Sequence, residues 1–494
     1  MGSVAYDSRM TRSEQILVVD VEGIDPSADG AGYATVDGRR LLIDYAIPGE
    51  RVELRIEAHG GRTTLGDITR VVRPSPHRVT PGCPSFGPCG GCTWQHIASN
   101  EQRRLKEQLL QALLNQALGR AAPQVQPTLT GHEGDTTPWG FRNKAHFVLA
   151  AGSRAGGLVL GHYRRRSQAV IEVDACPVHA EQANRVAFAV RDALVRARVG
   201  GATPDGHRGV ARHIVVRATE TPRETLATLV VTRNEKSLRP AVRALVQSPG
   251  VPDGLHLNVN DRPGPYLFGT ETRRLHGRDR VRETIAGVSF LISPTAFFQT
   301  NVRAAAAMVE CVLEQAGEPD TVLDLYAGAG LFALPLATRG ARVTAVEENR
   351  EAVEDGEASR RFNRIAEAAC RFVRARAEDF AGTGGRRAAS TPDLVILDPP
   401  RVGCPPGVLN WICASLRPPR IIYVSCNPEA LAADLRQASA AGYALQIVQP
   451  VDMFPHTAHI ETVAVLRTVR TPEESAQVTR MVKEAPGVKQ MANA

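Results

Sequence analysis

The fold is constrained most by four apolar, β-branched runs in the carboxyl-terminal part of the chain. Each run is followed by a residue that can bind a ligand. The runs occupy residues 321–325, 342–346, 394–397 and 421–424. The residues that follow them are, in order, Tyr326, Glu347, Asp398 and, after Ser425, Cys426. In open α/β sheets, ligands bind beyond the carboxyl ends of the strands. The pattern therefore predicts a doubly wound, Rossmann-like domain that binds an adenosine-containing ligand.

The first of these strand ends carries a glycine-rich turn, Gly328-Ala329-Gly330, and a helical stretch follows at 331–337. Glycines let a backbone approach a bound ligand closely. The spacing is G-x-G rather than the G-x-G-x-x-G of dinucleotide-binding folds, so the turn alone is a weak signal. Glu347 ends the next strand about twenty residues later, where a carboxylate binds ribose hydroxyls.

Several motifs in the same region carry a family resemblance. They are Gly328-Ala329-Gly330, Asp-Pro-Pro-Arg at 398–401 with Gly403, Ser-Cys-Asn-Pro at 425–428, and the segment at 452–461. With these motifs the chain resembles RNA uracil-5-methyltransferases that depend on S-adenosylmethionine. Within that family it resembles the 23S ribosomal RNA enzymes that carry a TRAM domain and an iron–sulfur cluster. The resemblance extends from about residue 14 to about residue 468, and Ala327 departs from it, because the family often has cysteine there.

The resemblance implies covalent catalysis. Carbon 5 of uracil is too weak a nucleophile to attack a methylsulfonium unaided. A thiolate that adds to carbon 6 turns the ring into an enolate, whose carbon 5 then attacks the methyl group. Cys426 is the expected nucleophile and Glu461 the expected base for the proton on carbon 5. An isolated cysteine at this position would be taken for a buried core residue, but the three other strand ends with ligand-binding residues favour a functional role for Cys426. Without the resemblance, Glu461 would be a solvated acid at a strand edge.

The resemblance also implies the residues that bind S-adenosylmethionine. They are Gln299, Tyr326, Glu347 and Asp398. Glu347 is expected to bind the ribose hydroxyls, and Asp398 to lie near the sulfonium and the target base. Gln299 on its own carries no signal, because glutamines of this kind usually face solvent.

A second dense signal is a cluster of cysteines in a Gly/Pro-rich loop. Cys83, Cys89 and Cys92 lie within ten residues and predict a metal or iron–sulfur site. Cys176, which precedes a proline, is the natural fourth ligand. The resemblance implies a four-iron four-sulfur cluster at these four positions, and tetrahedral zinc is the rival. The other cysteines are expected to pack in the methyltransferase half: Cys311, Cys370, Cys404 and Cys413.

The chain is predicted to be a multi-domain α/β protein. Short strands with Gly/Asp turns predict a small β-barrel at 8–73, which resembles a TRAM domain, an oligonucleotide-binding type of barrel. A generic barrel without a ligand is the alternative. A central, β-rich region with the cysteine cluster is predicted at 74–295. The class I methyltransferase domain is predicted at 296–470, and a flexible tail at 471–494.

RNA is the expected partner, with ribosomal RNA favoured over transfer RNA. The net charge of +7 and the pI of about 9.0 permit nucleic acid binding without establishing it. An aromatic and basic cluster at 139–145 suits a single-stranded RNA loop. The run at 162–166 is a candidate for phosphate contact. No signal peptide or membrane-spanning run is evident, so a cytoplasmic monomer without a membrane partner is expected.

The motifs argue against three other functions. A cytosine-5 RNA methyltransferase would have a cysteine after the proline of the strand-end Asp motif, where this chain has Pro400 and Arg401. An adenine amino-group methyltransferase would have an aromatic ring at Arg401 and would leave Cys426 without a role. A non-catalytic iron–sulfur RNA-binding protein would need neither Cys426 nor Glu461.

Overall fold

The computed structural model describes residues 16–26, 29–57, 64–132, 138–152, 157–203, 208–262, 267–384 and 391–469. The predicted tail at 471–494 and the start of the predicted barrel at 8–15 lie outside the described residues. The chain forms two compact units. The first consists of residues 1–87, 92–102 and 456–458, and the second of 88–91, 103–455 and 459–494.

The first unit is built on a curled sheet that resembles half a barrel. Its described strands are β1 (Ile16–Asp20), β2 (Gly23–Ile24), β3 (Gly32–Val36), β4 (Arg39–Ile43), β5 (Arg51–Glu57) and β6 (Thr64–Arg73). They lie in the order β1-β5-β6-β4-β3-β2, with β4 and β6 parallel and the other pairs antiparallel. A small core that includes Ile43, Val52 and Leu54 fills the concave side.

A buried acid joins this sheet to the segment that leads into the cysteine loop. Glu50 is fully buried and accepts hydrogen bonds from the backbone N–H groups of Ile47 and Ser75. Its carboxylate also accepts two hydrogen bonds from the Arg78 guanidinium, at 2.6 and 2.7 Å. A buried carboxylate is tolerated when its oxygens are satisfied in this way.

The second unit contains a mixed sheet in its central part. Helix α1 (Ser99–Leu118) leads into it, and the described strands are β7 (Lys144–Ala151), β8 (Leu158–Tyr163), β9 (Val170–Glu172), β10 (Ala211–Ala218), β11 (Thr225–Val231), β12 (Gly254–Val259) and β13 (Glu271–Gly277). The order is β13-β12-β11-β10-β7-β8-β9. Helices α2 (Glu181–Arg196) and α3 (Leu238–Val246) pack their apolar faces on this sheet.

A second sheet in this unit is the predicted Rossmann-like one. A hairpin of β14 (Val281–Ile285) and β15 (Val288–Ile292) precedes it. Its strands are β16 (Thr321–Leu325), β17 (Arg342–Glu347), β18 (Cys370–Arg374), β19 (Leu394–Leu397), β20 (Arg420–Ser425), β21 (Tyr443–Val451) and β22 (Glu461–Thr468). The helices are α4 (Val302–Ala316), α5 (Ala333–Thr338), α6 (Arg350–Phe362), α7 (Ala377–Asp379), α8 (Pro406–Asn410) and α9 (Pro428–Ala440).

The strand order of this sheet is β18-β17-β16-β19-β20-β22-β21. The first five strands are parallel, and β22 is antiparallel to both of its neighbours. The chain reverses its direction of winding between β16 and β19, which is the switch point where ligands bind in open α/β sheets. The predicted fold class, a multi-domain α/β chain with a β-rich amino-terminal part and a Rossmann-like carboxyl-terminal part, is confirmed.

Burial explains why the strands read as continuous apolar runs. All four residues of β19 are buried, because separate apolar cores lie on the two faces of the sheet. Asparagine side chains cap the amino-terminal ends of three helices in this part of the chain: Asn301 caps α4, Asn349 caps α6 and Asn427 caps α9. Among the described helices, none has both the length and the apolar character that a membrane crossing would require.

Candidate functional site

Three of the predicted ligand-binding residues lie side by side because of the register of the parallel strands. Leu325 pairs with Val346 on one side and with Leu397 on the other. The next residue of each strand is Tyr326, Glu347 and Asp398, respectively. All three are half-buried at the same edge of the sheet.

The turn after β16 leaves room for a ligand. Tyr326 has a left-handed φ of 63°, and Gly328 and Gly330 have φ of 55° and 86°. A Cβ atom on Gly328 would meet no other atom within 4 Å, so the backbone there borders open space. A Cβ on Gly330 would lie 2.8 Å from Phe372, so that glycine is required by packing instead.

Glu347 is held by two backbone donors. Its Oε2 accepts a hydrogen bond from the N–H of Gly328 at 2.9 Å, and its Oε1 accepts one from the N–H of Asn349 at 2.7 Å. Each carboxylate oxygen keeps a further acceptor position. The carboxylate is therefore oriented, and it can still accept hydrogen bonds from two neighbouring hydroxyls.

Cys426 and Glu461 are brought together by a strand pairing that joins distant parts of the chain. Ser425, the last residue of β20, pairs with Thr462 of β22 in antiparallel register. Cys426 follows Ser425 and Glu461 precedes Thr462, so the same register places the two side by side. Asn427 then caps α9 and its side chain also donates to the backbone oxygen of Arg401 at 2.8 Å. Cys426 is half-buried and Glu461 is buried.

The electrostatics of this group favour protonated forms at rest. Burial, and then the nearby Glu461 carboxyl, raise the pKa of Cys426, while the guanidinium of Arg401 lowers it. Burial and then Asp398 raise the pKa of Glu461 well above its ordinary value. Burial, and then Glu347, raise the pKa of Asp398 to about 7. Neighbouring carboxyls repel each other when they are ionised, so they do not all ionise at once. Groups with raised pKa values of this kind are typical of sites that transfer protons.

The segment between β21 and β22 is anchored by a buried ion pair. Nζ of Lys106, on α1, lies 2.6 Å from Oδ1 of Asp452, and both side chains are almost fully buried. Lys106 also donates to the backbone oxygen of Phe454 at 3.2 Å. Further along the segment, Nδ1 of His459 lies 3.0 Å from Nη2 of Arg401. These contacts fix the segment that ends at Glu461.

Two features of the site were missed by the sequence reasoning. Asp324 lies inside β16 with a fully buried carboxyl, and burial, followed by Asp398, raises its pKa well above the ordinary value. An acid within an apolar strand was the available signal. Tyr423 Oη donates to Oδ2 of Asp434 at 2.5 Å, and the N–H of Cys404 donates to the same oxygen at 2.8 Å. That network braces the loop that follows Asp398.

Gln299 lies in the segment that joins β15 to α4, and it is buried. The next residue, Thr300, accepts a hydrogen bond through its backbone oxygen from the N–H of Asn143 at 2.8 Å. The aromatic and basic cluster at 139–145 therefore lies against the segment of Gln299. Phe297, two residues earlier, exposes 68% of its surface.

The four cysteines of the predicted cluster are each half-buried and form no disulfide among the described residues. Cys83 and Cys92 belong to the first unit, and Cys89 and Cys176 to the second. In the second unit, Sγ of Cys89 accepts a hydrogen bond from the N–H of Gly91 at 3.4 Å. Amide hydrogen bonds to sulfur also occur at the ligands of iron–sulfur clusters.

Cys176 also has two imidazoles beside it. Its Sγ and one ring nitrogen each of His162 and His179 lie within 4.8 Å of one another. Burial lowers the pKa of His162 to about 4 and holds the pKa of His179 well below its ordinary value, which favours the neutral rings that metal ligation requires. The three side chains could hold a single divalent ion such as zinc, at a site that the sequence analysis did not predict.

Comparisons with known proteins agree with this geometry. The family model for tRNA (uracil-5-)-methyltransferase matches residues 276–469. A protein of Halalkalibacterium halodurans described as an uncharacterized RNA methyltransferase is 36% identical over 466 residues, covering 91% of this chain and 96% of its own. One of Gloeobacter violaceus with the same description is 36% identical over 465 residues, covering 92% and 96%.

A solved structure resembles nearly the whole chain. It is the Pyrococcus abyssi tRNA (uracil-54, C5)-methyltransferase in complex with S-adenosyl-L-homocysteine, at 25% identity and a TM-score of 0.72, covering 91% of this chain and 100% of that one. Together with the motifs and the arrangement of strand ends, these similarities show that the chain belongs to the RNA uracil-5-methyltransferase family, whose enzymes use S-adenosylmethionine.

Proposed function

We propose that this enzyme methylates carbon 5 of one specific uridine through a covalent bond between Sγ of Cys426 and carbon 6 of the base. The observation that carries the proposal is the antiparallel pairing of β20 with β22, which sets Cys426 beside Glu461. A nucleophile next to a base, at the ligand-binding edge of the sheet, is the arrangement that this chemistry needs.

Different residues of the chain would carry out the successive steps of the reaction. Arg401 favours the thiolate of Cys426, which adds to carbon 6, so that carbon 5 becomes nucleophilic. Bound S-adenosylmethionine supplies the electrophilic methyl group. Glu461, in its ionised form, then accepts the proton from carbon 5, and the bond between Sγ and carbon 6 breaks. The raised pKa of Glu461 makes it a stronger base than an exposed carboxylate, at the cost of a smaller ionised fraction.

The cofactor is proposed to bind over the turn that follows β16. Glu347 would accept hydrogen bonds from the ribose hydroxyls, because its carboxylate is already oriented by two backbone donors. Tyr326 and the open space at Gly328 would border the cofactor, with Gln299 lining the same site. Asp398 would face the sulfonium, whose positive charge favours the ionised carboxylate.

We propose 23S ribosomal RNA as the substrate, because the amino-terminal sheet and the cysteine loop resemble those of ribosomal RNA enzymes of the family. The curled sheet of the first unit would act as a TRAM-like RNA-binding domain, in a cytoplasmic monomer. Transfer RNA is the second candidate, since the solved relative from Pyrococcus abyssi is described as a transfer RNA enzyme.

A gene deletion distinguishes these substrates. We expect 5-methyluridine to disappear from one position of 23S ribosomal RNA when the gene is deleted, as read by nucleoside mass spectrometry of purified RNA fractions. A plasmid with the wild-type gene should restore it, and one with Cys426→Ala should not. Loss from transfer RNA alone would select the second candidate, and full restoration by Cys426→Ala would refute the proposed nucleophile.

We also propose that Cys83, Cys89, Cys92 and Cys176 bind a four-iron four-sulfur cluster, in a structural or RNA-docking role. Protein purified without oxygen should contain about four irons per chain and show the broad visible absorption of such a cluster. Replacement of Cys83 by alanine should remove the iron. Stoichiometric zinc without iron, retained in Cys83→Ala and lost in His179→Ala, would instead assign the metal to the group of Cys176 with two histidines.

A further inference from the structure

A groove lies between α3 and the strand β13, outside the cluster of catalytic residues. Its volume is about 510 Å³. The apolar residues that line it are Leu238, Val242, Val246, Leu257 and Leu275, and the basic ones are Lys236, Arg239, Arg243, Arg273 and His276. The remaining lining residues are Asn234, Glu235 and Gln247.

The groove exists because α3 covers the edge of the central sheet only in part. β13 is the edge strand, and β12 lies on its inner side. Leu238, Ala241 and Leu245 point from α3 into the core and are buried. Val242 of α3 and Leu275 of β13 are only half-buried, so together they form an apolar floor that solvent reaches.

The walls of the groove are positively charged. Lys236, Arg239, Arg243 and Arg273 are all exposed, and none of the four has an ion pair with any residue that the structure describes. The one acid of the lining, Glu235, already accepts from Nε of Arg233 at 2.6 Å. The groove therefore holds an excess of uncompensated positive charge.

Two of these arginines are unfavourable neighbours in the free protein. Arg239 and Arg243 are four residues apart on α3, so their side chains lie on the same face of the helix. Like charges at this spacing repel each other and destabilise a helix. A bound anion would reduce that repulsion. A nucleic acid strand, with its regularly spaced phosphates, could contact several of these cations at once.

We propose that this groove binds the sugar-phosphate backbone of the RNA substrate, at nucleotides other than the uridine that is methylated. The inference rests on the proposed function, because it takes the RNA to be the substrate of Cys426. The groove is lined by no Phe, Tyr or Trp side chain for base stacking, and its cations suit phosphates, so the contact should be largely independent of sequence. An acidic protein segment is the alternative occupant, and it would leave RNA binding independent of the groove.

The test compares two variants of equal net charge in the full-length protein. One carries Arg239→Ala, Arg243→Ala and Arg273→Ala in the groove. The control carries Arg185→Ala, Arg196→Ala and Arg223→Ala, which are exposed arginines outside the groove. Dissociation constants for 23S ribosomal RNA and for bulk transfer RNA, both transcribed in vitro, are measured by filter binding over a range of salt concentrations.

For the RNA that the wild type methylates, the groove variant should bind about ten- to a hundredfold more weakly at physiological salt. The slope of log Kd against log salt should fall by about two, since each lost phosphate contact removes about 0.7 to 0.9 from it. Its turnover number at saturating RNA should equal that of the wild type, whereas the control should change little in either measurement.

The outcomes separate this inference from the proposed function. A groove variant that binds RNA with the wild-type slope and affinity overturns the inference, and so does a control that weakens binding equally. Both results are obtained without catalysis, so they stand even if the wild type methylates neither RNA. Unchanged RNA binding together with a lost protein partner would show that the groove takes an acidic protein segment instead.

Discussion

At Cys426, the proposed nucleophile, burial and the nearby guanidinium shift the pKa in opposite directions. The low-polarity surroundings and Glu461 hold Cys426 in its thiol form, and Arg401 favours the reactive thiolate. The same neighbourhood raises the pKa of Glu461 and of Asp398. These shifts favour the protonated forms in the free protein, and a cationic cofactor bound nearby would favour ionisation of the carboxyls.

The first prediction concerns the base. Glu461→Gln should still allow Cys426 to add to the ring, because removal of the carboxyl takes away one cause of the raised thiol pKa. The methyl group should be transferred, but the amide cannot accept the proton from carbon 5. Methylated RNA should remain attached to the protein, seen as a shifted band on a denaturing gel. The double variant with Cys426→Ala should show no such band, and wild-type release of free product by Glu461→Gln would exclude Glu461 as the base.

The second prediction concerns stability and pH at Asp398. A carboxyl whose pKa is raised by folding contributes stability below its unfolded pKa of about 4 and loses it as the pH rises through about 7. Asn does not titrate, so Asp398→Asn should become more stable relative to the wild type as the pH rises from 5 to 8. The gain between these two pH values should be at most about 3 kcal/mol, because only the two units between pH 5 and the raised pKa of about 7 contribute and one unit corresponds to about 1.4 kcal/mol.

Urea unfolding of the cofactor-free protein at pH 5 and pH 8 measures this difference directly. The variant should also lose methyl transfer, as expected where an active site trades stability for activity. Equal relative stability at the two pH values would mean that Asp398 is ionised at rest.

At the scale of elements, the catalytic group depends on one long segment between β21 and β22. It is tied at its start by Lys106 and Asp452, and it ends at Glu461. A buried ion pair has a high desolvation cost, and removing one partner leaves the other charged and unpaired. The main effect of the ion pair is therefore to hold the start of the segment between β21 and β22 in one position.

The third prediction follows from that anchor. Lys106→Met should lower the free energy of unfolding by about 3 to 5 kcal/mol, because Asp452 would be left as a buried unpaired charge. Arg350→Met is the control, since the Arg350–Glu354 pair is exposed on α6 and should change stability by less than about 1 kcal/mol. Denaturant unfolding of both variants gives the comparison. Equal effects would contradict the anchoring role.

The residues that follow the parallel strands could be predicted from the sequence pattern, whereas the contact across the antiparallel strand pair could not. Tyr326, Glu347 and Asp398 follow apolar runs, and parallel strands bring their carboxyl ends to one edge, so the pattern alone placed them. The partnership of Cys426 with Glu461 depends on β22 pairing with β20, a non-local register that no local pattern encodes. There the family resemblance supplied the residue, and the structure supplies the geometry. Asp324 and the anchor of Lys106 were missed, because a single charge in an apolar context does not reveal its partner.

At the scale of the whole molecule, the surfaces proposed to bind RNA are built from other residues than the proposed catalytic group. The first unit carries a curled sheet, and the second carries both a central sheet with a basic groove and the Rossmann-like sheet with Cys426. Each surface can be changed without touching the catalytic group. Variants of the groove should therefore alter RNA affinity, whereas variants of the catalytic group should alter the chemical step.

The central claim, that Cys426 bonds to carbon 6 of a uridine during methylation, is tested most directly with RNA containing 5-fluorouridine. Fluorine on carbon 5 cannot leave as a proton does, so the reaction should stop after methyl transfer with enzyme and RNA joined. Nuclease and protease digestion followed by mass spectrometry should identify a methylated fluorouridine on the peptide that contains Cys426, and Cys426→Ala should give no adduct. An adduct on another residue, or turnover by Cys426→Ala, would contradict the account.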